Sequence, residues 1–431
     1  MKFQCVKGTR DFYPPEMRLR QHITDAWRRV SLRNGFEEYD SPIFEYLDLY
    51  KAKSGEGIVS ELFSLTDRGG RELAVRPETT PTLARMVNAR VNTLPRPIKW
   101  FTIQRCCRAE RPQKGRTREF FCWNIDIIGE PSEIADAESV LVAVDGLREL
   151  GLTTDDVVVR YSSRELLAGV LGNFGVGERE FPDVMAAIDK RSKLPAEAWD
   201  EAMAKAVPDG KARMGILSFL NMRSIGAGAA ASIAQNVGME VTQVVVEAIA
   251  KLQRFESQLT AFGVKDWCRY DTNIVRGLAY YTGIVYEIHD RGQSLRAVAG
   301  GGRYDNLLEV LGGPKIGGTG FGMGDVVLGI LLAEKGKVPD LRESLEFFVI
   351  DGVDGAFEKV MEVVGALRAK GRAADFSYKR QPIGKQLKEA NRRGARKALI
   401  VRAGRLAVKD LATGNQHDLP IEEFLRTLED R

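Results

Sequence analysis

The feature that most constrains the fold is a pair of apolar stretches joined by an arginine-rich loop. Residues 98–105 and 120–128 are dominated by β-branched and aromatic residues, which is typical of strands. The loop between them holds one proline, one glycine and five cations: Arg108, Arg111, Lys114, Arg116 and Arg118. The sequence therefore predicts two antiparallel strands joined by a long basic loop.

The rest of the chain suggests more than one domain, because 431 residues exceed what one ordinary core accommodates. Residues 163–261 are rich in Ala, Leu, Lys and Glu and predict helices, and strand-like sequence punctuated by glycine returns at 269–332. A charged, proline-containing linker follows at 334–343, and β and α patterns alternate after it. We expect a large domain over 1–335 and a small α/β domain over 344–431.

Composition excludes several classes of function. A net charge of +4 with 44% hydrophobic residues describes a soluble globular protein, so any polyanion site must be local. The three histidines lie beside no plausible nucleophile, and the five cysteines lack C-x-x-C spacing, which favours free thiols over a zinc site. The first residues lack a signal-peptide core and no apolar run spans a bilayer, so we expect a cytoplasmic protein with no membrane partner.

Two interpretations of the basic loop compete. A charge run at a hairpin tip often does no more than keep an exposed edge soluble. Guanidinium groups aimed over a sheet would instead suit phosphate oxygens, because arginine presents a planar fork of donors. The phosphate-loop motif G-x-x-x-x-G-K-[ST] does not occur, and GTGFGMGDVV from Gly318 does not match the dinucleotide fingerprint. If ATP binds, we expect it to bind on a sheet.

Several ordered motifs carry a resemblance to a known family. The chain is similar to the histidyl-tRNA synthetases, within the class II aminoacyl-tRNA synthetases, over nearly its whole length. Pro42 in EEYDSPIFEYLDLY resembles class motif 1, and CCRAERPQKGRTREFF resembles motif 2. VRGLAYYTGIVYE from Val275 and AGGGRYDNLLEVLGG from Ala299 resemble signatures particular to the histidine enzymes. VRPETTPTLAR from Val75 resembles the substrate-binding strand, and VKDLATGNQ resembles the end of the anticodon-binding domain.

The resemblance implies a multidomain fold that combines α+β and α/β parts. Residues 1–335 would form an antiparallel-sheet catalytic core of the class II synthetase type, with a helical insertion at roughly 165–260. Residues 344–431 would form a small anticodon-binding α/β domain. Class II members commonly pair through motif 1, so the resemblance also implies a homodimer.

The implied activity is that of a histidine–tRNA ligase. The carboxylate of L-histidine would attack the α-phosphorus of ATP to give histidyl-adenylate, and the 3′ end of tRNA(His) would then accept the histidyl group. Mg²⁺ would accompany ATP, and the protein would hold no metal of its own. Catalysis would rest on positioning and electrostatics rather than on a protein nucleophile.

The resemblance also assigns residues. Arg108 and Arg276 would be the catalytic pair and would approach the α-phosphate from opposite sides. ATP would be bound by Arg108, Glu110 on the adenine and Arg116 on the outer phosphates. The implied histidine-binding set is Glu78, Thr79, Thr80, Arg108, Cys122, Asp126, Arg276, Tyr280, Tyr281 and Tyr304. In that set Glu78 and Thr80 match the ammonium side, Asp126 and Tyr281 match the imidazole side, and Tyr280 and Tyr304 wall the pocket.

The chain departs from the family pattern near the nucleotide and the ammonium group. Val327 stands where motif 3 carries an arginine, Val326 replaces a glutamate, and Cys122 replaces a glutamine beside another change at Asn124. A thiol is a poorer acceptor than an amide oxygen. We expect a working synthetase in which Arg116 or another basic group takes over part of the nucleotide contact.

Two alternatives stay open at this point. One is a synthetase paralogue that senses histidine as a regulatory subunit of the ATP phosphoribosyltransferase type. Such a paralogue characteristically lacks the anticodon-binding domain, whereas residues from about 345 onward resemble one. The other is an RNA-binding module without catalysis, which would leave the pocket carboxylates unexplained.

Overall fold

The computed structural model describes residues 3–54, 56–177, 179–191, 194–224, 229–237, 241–275, 281–341 and 345–429. The chain forms two compact units, Met1–Pro339 and Asp340–Arg431. In the described residues we find no helix long and apolar enough to cross a membrane.

Strands and helices are numbered separately along the chain. The strands are β1 (Glu37–Glu38), β2 (Phe44–Tyr46), β3 (Ser64–Thr66), β4 (Glu72–Val75), β5 (Ile98–Cys107), β6 (Glu119–Ile128), β7 (Val157–Ser163), β8 (Cys268–Tyr270), β9 (Ile284–Asp290), β10 (Ala299–Tyr304), β11 (Gly318–Gly324), β12 (Phe347–Asp351), β13 (Ala374–Phe376), β14 (Lys397–Arg402), β15 (Arg405–Asp410) and β16 (Gln416–Pro420). The helices are α1 (Pro14–Arg33), α2 (Leu47–Ser54), α3 (Thr80–Ala89), α4 (Glu133–Glu149), α5 (Arg164–Asn173), α6 (Phe181–Asp189), α7 (Ala196–Ala206), α8 (Gly210–Leu220), α9 (Ala229–Val237), α10 (Gln243–Ala261), α11 (Leu307–Val310), α12 (Asp325–Glu334), α13 (Phe357–Ala369), α14 (Ile383–Arg392) and α15 (Ile421–Thr427).

The large unit is built on a sheet with the order β1-β5-β6-β11-β10-β9-β7-β8. The six central strands pair antiparallel, and the short edge strands β1 and β8 pair parallel to their neighbours. The predicted strand pair is confirmed as β5 and β6, which run antiparallel from Ile98 opposite Ile128 to Cys107 opposite Glu119. The basic loop therefore leaves the sheet at one end of its longest hairpin.

Helices α1, α4 and α12 contact the sheet, α1 contacts both other helices, and an aromatic cluster lies at this face. The ring of Trp123 from β6 stacks on Trp27 from α1 at 5.8 Å between centroids and meets Phe321 from β11 edge-on at 4.9 Å. All three side chains are buried, and such pairs stabilise a core beyond their apolar area. This packing holds β6 and β11 rigidly beside each other.

The helical stretch predicted at roughly 165–260 is occupied by α5 to α10. Helix α10 packs against α4 and α5, and its apolar positions Val245, Ile249 and Leu252 are buried in the main core. Their spacing of three to four residues is the helical period expected for one buried stripe. The helical stretch is thereby tied to the core of the large unit through α10.

The small unit has a five-stranded sheet with the order β13-β12-β14-β15-β16. Strands β13, β12 and β14 are parallel, and β15 and β16 complete the sheet antiparallel. Helices α13 and α15 bury residues such as Val360 and Phe424 with Phe347 and Leu399, while α14 buries Ala390 with Phe348 and Ile400. The predicted small α/β domain is confirmed as a sheet with helices on both faces.

Candidate active site

Strand β6 presents two chemically different faces. Trp123, Ile125 and Ile127 are buried in the main core, whereas the alternate residues Cys122, Asn124 and Asp126 line a pocket. Successive side chains of a strand point to opposite faces of the sheet, which explains the division. The polar positions of β6 therefore form one row along the pocket.

The neighbouring strand β11 offers glycines instead of side chains. Gly320 pairs with Asp126, Gly322 with Asn124 and Gly324 with Cys122, so each polar residue faces a position without a side chain. A Cβ atom at Gly320 would lie 2.2 Å from the carbonyl oxygen of Ile125, which no packing tolerates. The absence of side chains at these three positions leaves open space over the sheet, where a ligand can approach the backbone closely.

The resulting pocket has a volume of about 660 Å³. Eight of the predicted site residues line it: Glu78, Thr80, Arg108, Arg116, Cys122, Asp126, Tyr281 and Tyr304. They come from β6 and β10, the start of α3, the basic loop and the segment before β9. A pocket of this size is in the range that holds small ligands and cofactors.

Asp126 is the acidic group on the predicted imidazole side. Its Oδ1 atom accepts a hydrogen bond from the hydroxyl of Tyr304 at 2.6 Å, while its Oδ2 atom is buried without a hydrogen-bond partner among the described residues. Burial raises the pKa of Asp126 to about 8, and the bond from Tyr304 opposes that rise only in part. A buried carboxyl oxygen beside open pocket space is suited to accept an N–H donor from a ligand, and such a bond would favour the ionised form of Asp126.

Glu78 lies on the predicted ammonium side, and it pairs with a buried lysine. The Nζ atom of Lys53 is 2.6 Å from Glu78 Oε1, and the Lys53 side chain is 1% exposed. Thr80 lines the pocket at the first turn of α3. Thr79, predicted with them as a histidine contact, is fully buried and is not among the residues that line the pocket.

Two arginines of the basic loop region also line the pocket. The guanidinium of Arg108 lies over the ring of Phe120 at 5.4 Å, and its Nε donates to the carbonyl of Pro77 at 3.3 Å. Arg116 is ion-paired with Glu110. Glu110 itself does not line the pocket, and its Oε2 atom is buried without a hydrogen-bond partner among the described residues.

The tip of the loop is a tight turn held against α12. Gln113 and Arg116 bond each other through backbone groups, and Gly115 between them has a φ of +75°, which favours glycine. A Cβ atom at Gly115 would be 3.3 Å from Val327 Cγ2. At the other end of α12, Lys114 reaches Glu334 at 3.4 Å. The loop therefore folds over the start of α12.

Cys122 occupies the pocket row as a neutral thiol. Burial raises its pKa well above the ordinary value. Its Sγ atom lies 3.9 Å from the carbonyl oxygen of Trp123, a distance at which a thiol donates weakly. The Oδ1 atom of Asn124, on the same face of β6, is buried and has no hydrogen-bond partner among the described residues. The pocket row therefore retains an amide acceptor near the thiol.

The sequence reasoning missed several polar side chains at this site. Lys53 supports Glu78, Arg296 lines the pocket before β10, and His289 lines it with its Nε2 atom 3.0 Å from Glu287. Arg296 carried a usable signal, because it stands three residues before the AGGGRYD motif. The predicted residues Arg276 and Tyr280 lie outside the described part of the chain.

Comparisons with known proteins agree across the chain. Residues 8–324 match the family described as Histidyl-tRNA synthetase, and residues 346–431 match the family described as Anticodon binding domain. The histidine–tRNA ligase of Opitutus terrae is 39% identical to this chain and covers 99% of it and 98% of the relative. The chloroplastic/mitochondrial histidine–tRNA ligase of Arabidopsis thaliana is 38% identical over 97% of this chain and 85% of the relative.

The fold has a counterpart among solved structures. The crystal structure of histidyl-tRNA synthetase from Nostoc sp. PCC 7120 superposes with a TM-score of 0.81 and 23% sequence identity, covering 99% of this chain and 100% of that chain. The match supports the architecture of a sheet-based core with a second, smaller domain. Together with the family matches and the two close relatives, it shows that this chain belongs to the histidyl-tRNA synthetase family.

Proposed function

We propose that the pocket over β6 and β11 is where this histidine–tRNA ligase activates histidine with ATP. One observation carries the proposal: a single pocket combines a buried carboxylate with an unsatisfied oxygen, Asp126, and the guanidinium groups of Arg108 and Arg116. The first suits a ligand that brings an N–H donor. The second suits a ligand that brings phosphate. Histidine and ATP together supply both.

Asp126 and Glu78 would bind the amino acid. An imidazole N–H would donate to Oδ2 of Asp126, and Tyr304 would hold that carboxyl in place through its 2.6 Å bond. Tyr281, also lining the pocket, would contact the ring. The ammonium group would share the Glu78 carboxylate with Lys53. Another amino acid would leave Asp126 Oδ2 buried and unpaired. The free-energy cost of that unpaired oxygen would strongly weaken the binding of other amino acids.

The arginines would act on the phosphates. A histidine carboxylate oxygen forms a bond to the α-phosphorus of ATP, and the bond from that phosphorus to the bridging oxygen breaks, so pyrophosphate leaves. Negative charge grows on the phosphate oxygens, where Arg108 would stabilise it, while Arg116 would hold the outer phosphates. Arg276, which lies outside the described residues, is proposed as the second α-phosphate contact. ATP would enter as its Mg²⁺ complex, with the ion carried by the phosphates.

The small unit would bind the tRNA partner. A groove of about 540 Å³ on this unit is lined by Lys379, Lys385, Lys388, Arg392 and Arg393, with Tyr378 beside them at 79% exposure. Cations along a groove with an exposed aromatic ring suit a single-stranded nucleic acid, which offers phosphates and bases that stack. The family match over 346–431 supports an anticodon loop as the ligand.

A homodimer and a cytoplasmic location complete the proposal. Phe44, Tyr46 and Leu65 are 48%, 57% and 43% exposed on the small sheet β2-β4-β3, which supports burial against a second copy. All five cysteines are free thiols, as expected in a reducing compartment.

The deciding experiment is exchange of pyrophosphate into ATP, measured with histidine and with each other amino acid as a control. We expect exchange with histidine alone. An enzyme that binds histidine but gives no exchange at saturating ATP would overturn the proposal in favour of the regulatory paralogue. The anticodon-binding match over 346–431 is the observation that speaks against that paralogue now.

A further inference from the structure

Position 327 of this chain carries an apolar side chain at the pocket. The Val327 side chain is 7% exposed and belongs to the apolar cluster with Leu328 and Leu331. The turn at Gly115 lies against it, since a Cβ atom there would be 3.3 Å from Val327 Cγ2. Val327 offers a nucleotide neither a charge nor a hydrogen-bond donor. A basic contact to ATP in this part of the pocket must therefore come from another element.

One arginine of another element lines the same pocket. Strands β10 and β11 pair antiparallel with Ala299 opposite Met323, and Gly324 N–H donates to the Val298 carbonyl at 3.4 Å. Arg296 lies two residues before Val298, and α12 begins directly after Gly324. Arg296, Val326 and Val327 all line the pocket. The arginine thus enters the pocket from the connection before β10, close in the chain to the residue that bonds the end of β11.

The electrostatic surroundings of Arg296 favour an anionic ligand. Burial, followed by the nearby charge of Arg116, lowers the pKa of Arg296, and the charge of Arg108 acts in the same direction. No hydrogen bond or ion pair to the Arg296 guanidinium occurs among the described residues, and Arg116 already pairs with Glu110. Three guanidinium groups therefore line one space, while the carboxylates Glu110 and Glu287 act on Arg296 in the opposite direction. A chain of phosphates carries enough charge to stabilise all three.

We propose that Arg296 binds the phosphate chain of ATP and supplies the contact that Val327 cannot make. The inference rests on the proposed activation of histidine in this pocket. Arg296 would act on the phosphates rather than on the adenine, because Arg116 and Arg108, both proposed to bind phosphate, are among the charges nearest to it.

The test compares Arg296→Ala and Arg296→Lys with the control Arg291→Ala. Arg291 lies on the same connection between β9 and β10, but its guanidinium bonds the Thr154 carbonyl and does not line the pocket. For each protein the KM values for ATP and for histidine are measured by pyrophosphate exchange, and ATP affinity is measured by calorimetry without histidine. Adenosine is tested as a competitive inhibitor.

We expect Arg296→Ala to weaken ATP binding by about tenfold to one hundredfold, the range for loss of one charged hydrogen-bonding contact. The KM for histidine and inhibition by adenosine should stay unchanged. Lysine should retain part of the affinity, since it keeps the charge but loses the planar fork. Arg291→Ala should match the wild type.

Two results separate the inference from the proposed function. Histidine-dependent exchange with an unchanged KM for ATP in Arg296→Ala would overturn the role of Arg296 and leave the function intact. A wild type that gives no exchange, yet binds ATP more tightly than Arg296→Ala, would overturn the function and leave the phosphate contact intact. Equal weakening of ATP and adenosine would overturn the phosphate assignment.

Discussion

Asp126, which we propose recognises the imidazole, is a buried group with a cost to stability. Its pKa of about 8 in the folded chain compares with an ordinary value of 3.8. Between these values the folded state holds a proton that the unfolded state has released. The free energy of unfolding therefore falls as pH rises from about 4 through about 8, by up to about 1.4 kcal/mol per pH unit, and stops falling above that window.

Asp126→Asn removes this titration. As pH is raised from 5 to 9, we expect the melting temperature of Asp126→Asn to rise relative to that of the wild type by about 2 °C or more in total. Calorimetric scans across that range measure it, with the exposed aspartate in Asp354→Asn as the control. A difference between the two melting temperatures that stays constant across this pH range would contradict the raised pKa of Asp126. Histidine-dependent exchange should be lost in Asp126→Asn at every pH.

Single residues also show which contacts of the site can be predicted from the sequence. Cys122 and Asp126 were predictable because both lie on one strand, where alternation of two places them on one face. Lys53 was not, because it reaches Glu78 from α2 only in the folded chain. Arg296 carried only its position three residues before the AGGGRYD motif. Thr79 stays a prediction: it directly precedes Thr80, and one step along the chain separates a buried from a lining position.

At the scale of elements, the basic loop is supported by the segment before α1. The backbone N–H of Arg118 donates to the Gly8 carbonyl at 2.7 Å. Gly8 has a φ of +89°, and a Cβ atom there would lie 2.6 Å from Pro112 Cγ. Because Pro112 and Arg118 are both in the loop, the fit at Gly8 sets the position of the arginines that face the pocket.

Gly8→Ala should therefore raise the KM for ATP by about tenfold while changing the KM for histidine little, because a displacement of the loop moves Arg116 rather than Asp126. Pyrophosphate exchange measures both constants. The matched control is Gly70→Ala, which has a φ of +77° but open space around its Cβ position. Both variants should lose some stability from backbone strain. Equal KM values for ATP in the two variants would show that the Gly8 contact does not position the loop.

In the small unit, helix α14 carries basic residues that line the proposed tRNA groove. Its inward face buries Gln386 and Ala390, and its outward face carries Lys385, Lys388 and Arg392 along the groove. The amphipathic pattern was readable in GKQLKEANRRG, but the groove depends on Tyr378 and Lys379, which precede the helix. Charge on one face of α14 is available for a polyanion.

The double variant Lys385→Ala with Lys388→Ala should weaken tRNA binding and reduce the slope of log affinity against log salt by about 1.4, the value for two contacts to single-stranded nucleic acid. Filter binding over a salt series measures the slope. Histidine-dependent exchange should not change. Lys359→Ala on α13, whose lysine pairs with Glu362, is the control. An unaltered slope would remove α14 from the tRNA interface.

At the scale of the whole molecule, the class of fold followed from patterns that extend over many residues. The β5–β6 hairpin and the α/β alternation after the linker were both predicted, because local strand and helix periodicity decided them. The order of the eight-stranded sheet was not derivable from residues alone. Strands β7 and β9 are separated by more than 100 residues that include α5 to α10, yet they are neighbours.

The proposed association of two copies belongs to the scale of the whole molecule. On the small sheet, Tyr46 pairs with Leu73 and Leu73 with Leu65, so their side chains share one face with Phe44. The exposed area of these residues is apolar, and burying it against an identical face would stabilise a symmetric dimer.

Phe44→Glu with Tyr46→Glu should convert a dimer to a monomer at micromolar concentrations, because four carboxylates would face one another across the symmetric contact. Sedimentation velocity measures the mass. The control is Val353→Glu, which places a charge at an exposed apolar site of the small unit. A wild type that sediments as a monomer, or a variant that stays dimeric, would contradict the proposed interface.

The glycines of β11 have a consequence for the genetics of this enzyme. Every missense change of a glycine codon adds a Cβ atom, but the three pocket glycines differ in what that atom meets. At Gly320 it meets the carbonyl oxygen of Ile125 at 2.2 Å, at Gly322 the side chains of Asn124 and Cys122 at 3.2 Å, and at Gly324 nothing within 4 Å. Substitutions of Gly320 would prevent the protein from folding. Substitutions of Gly324 would leave a folded, abundant protein whose pocket is partly filled by the new side chain. Two codons of the same strand, four residues apart, would thus differ: mutations of codon 320 would give null alleles, and mutations of codon 324 would give a stable but inactive protein.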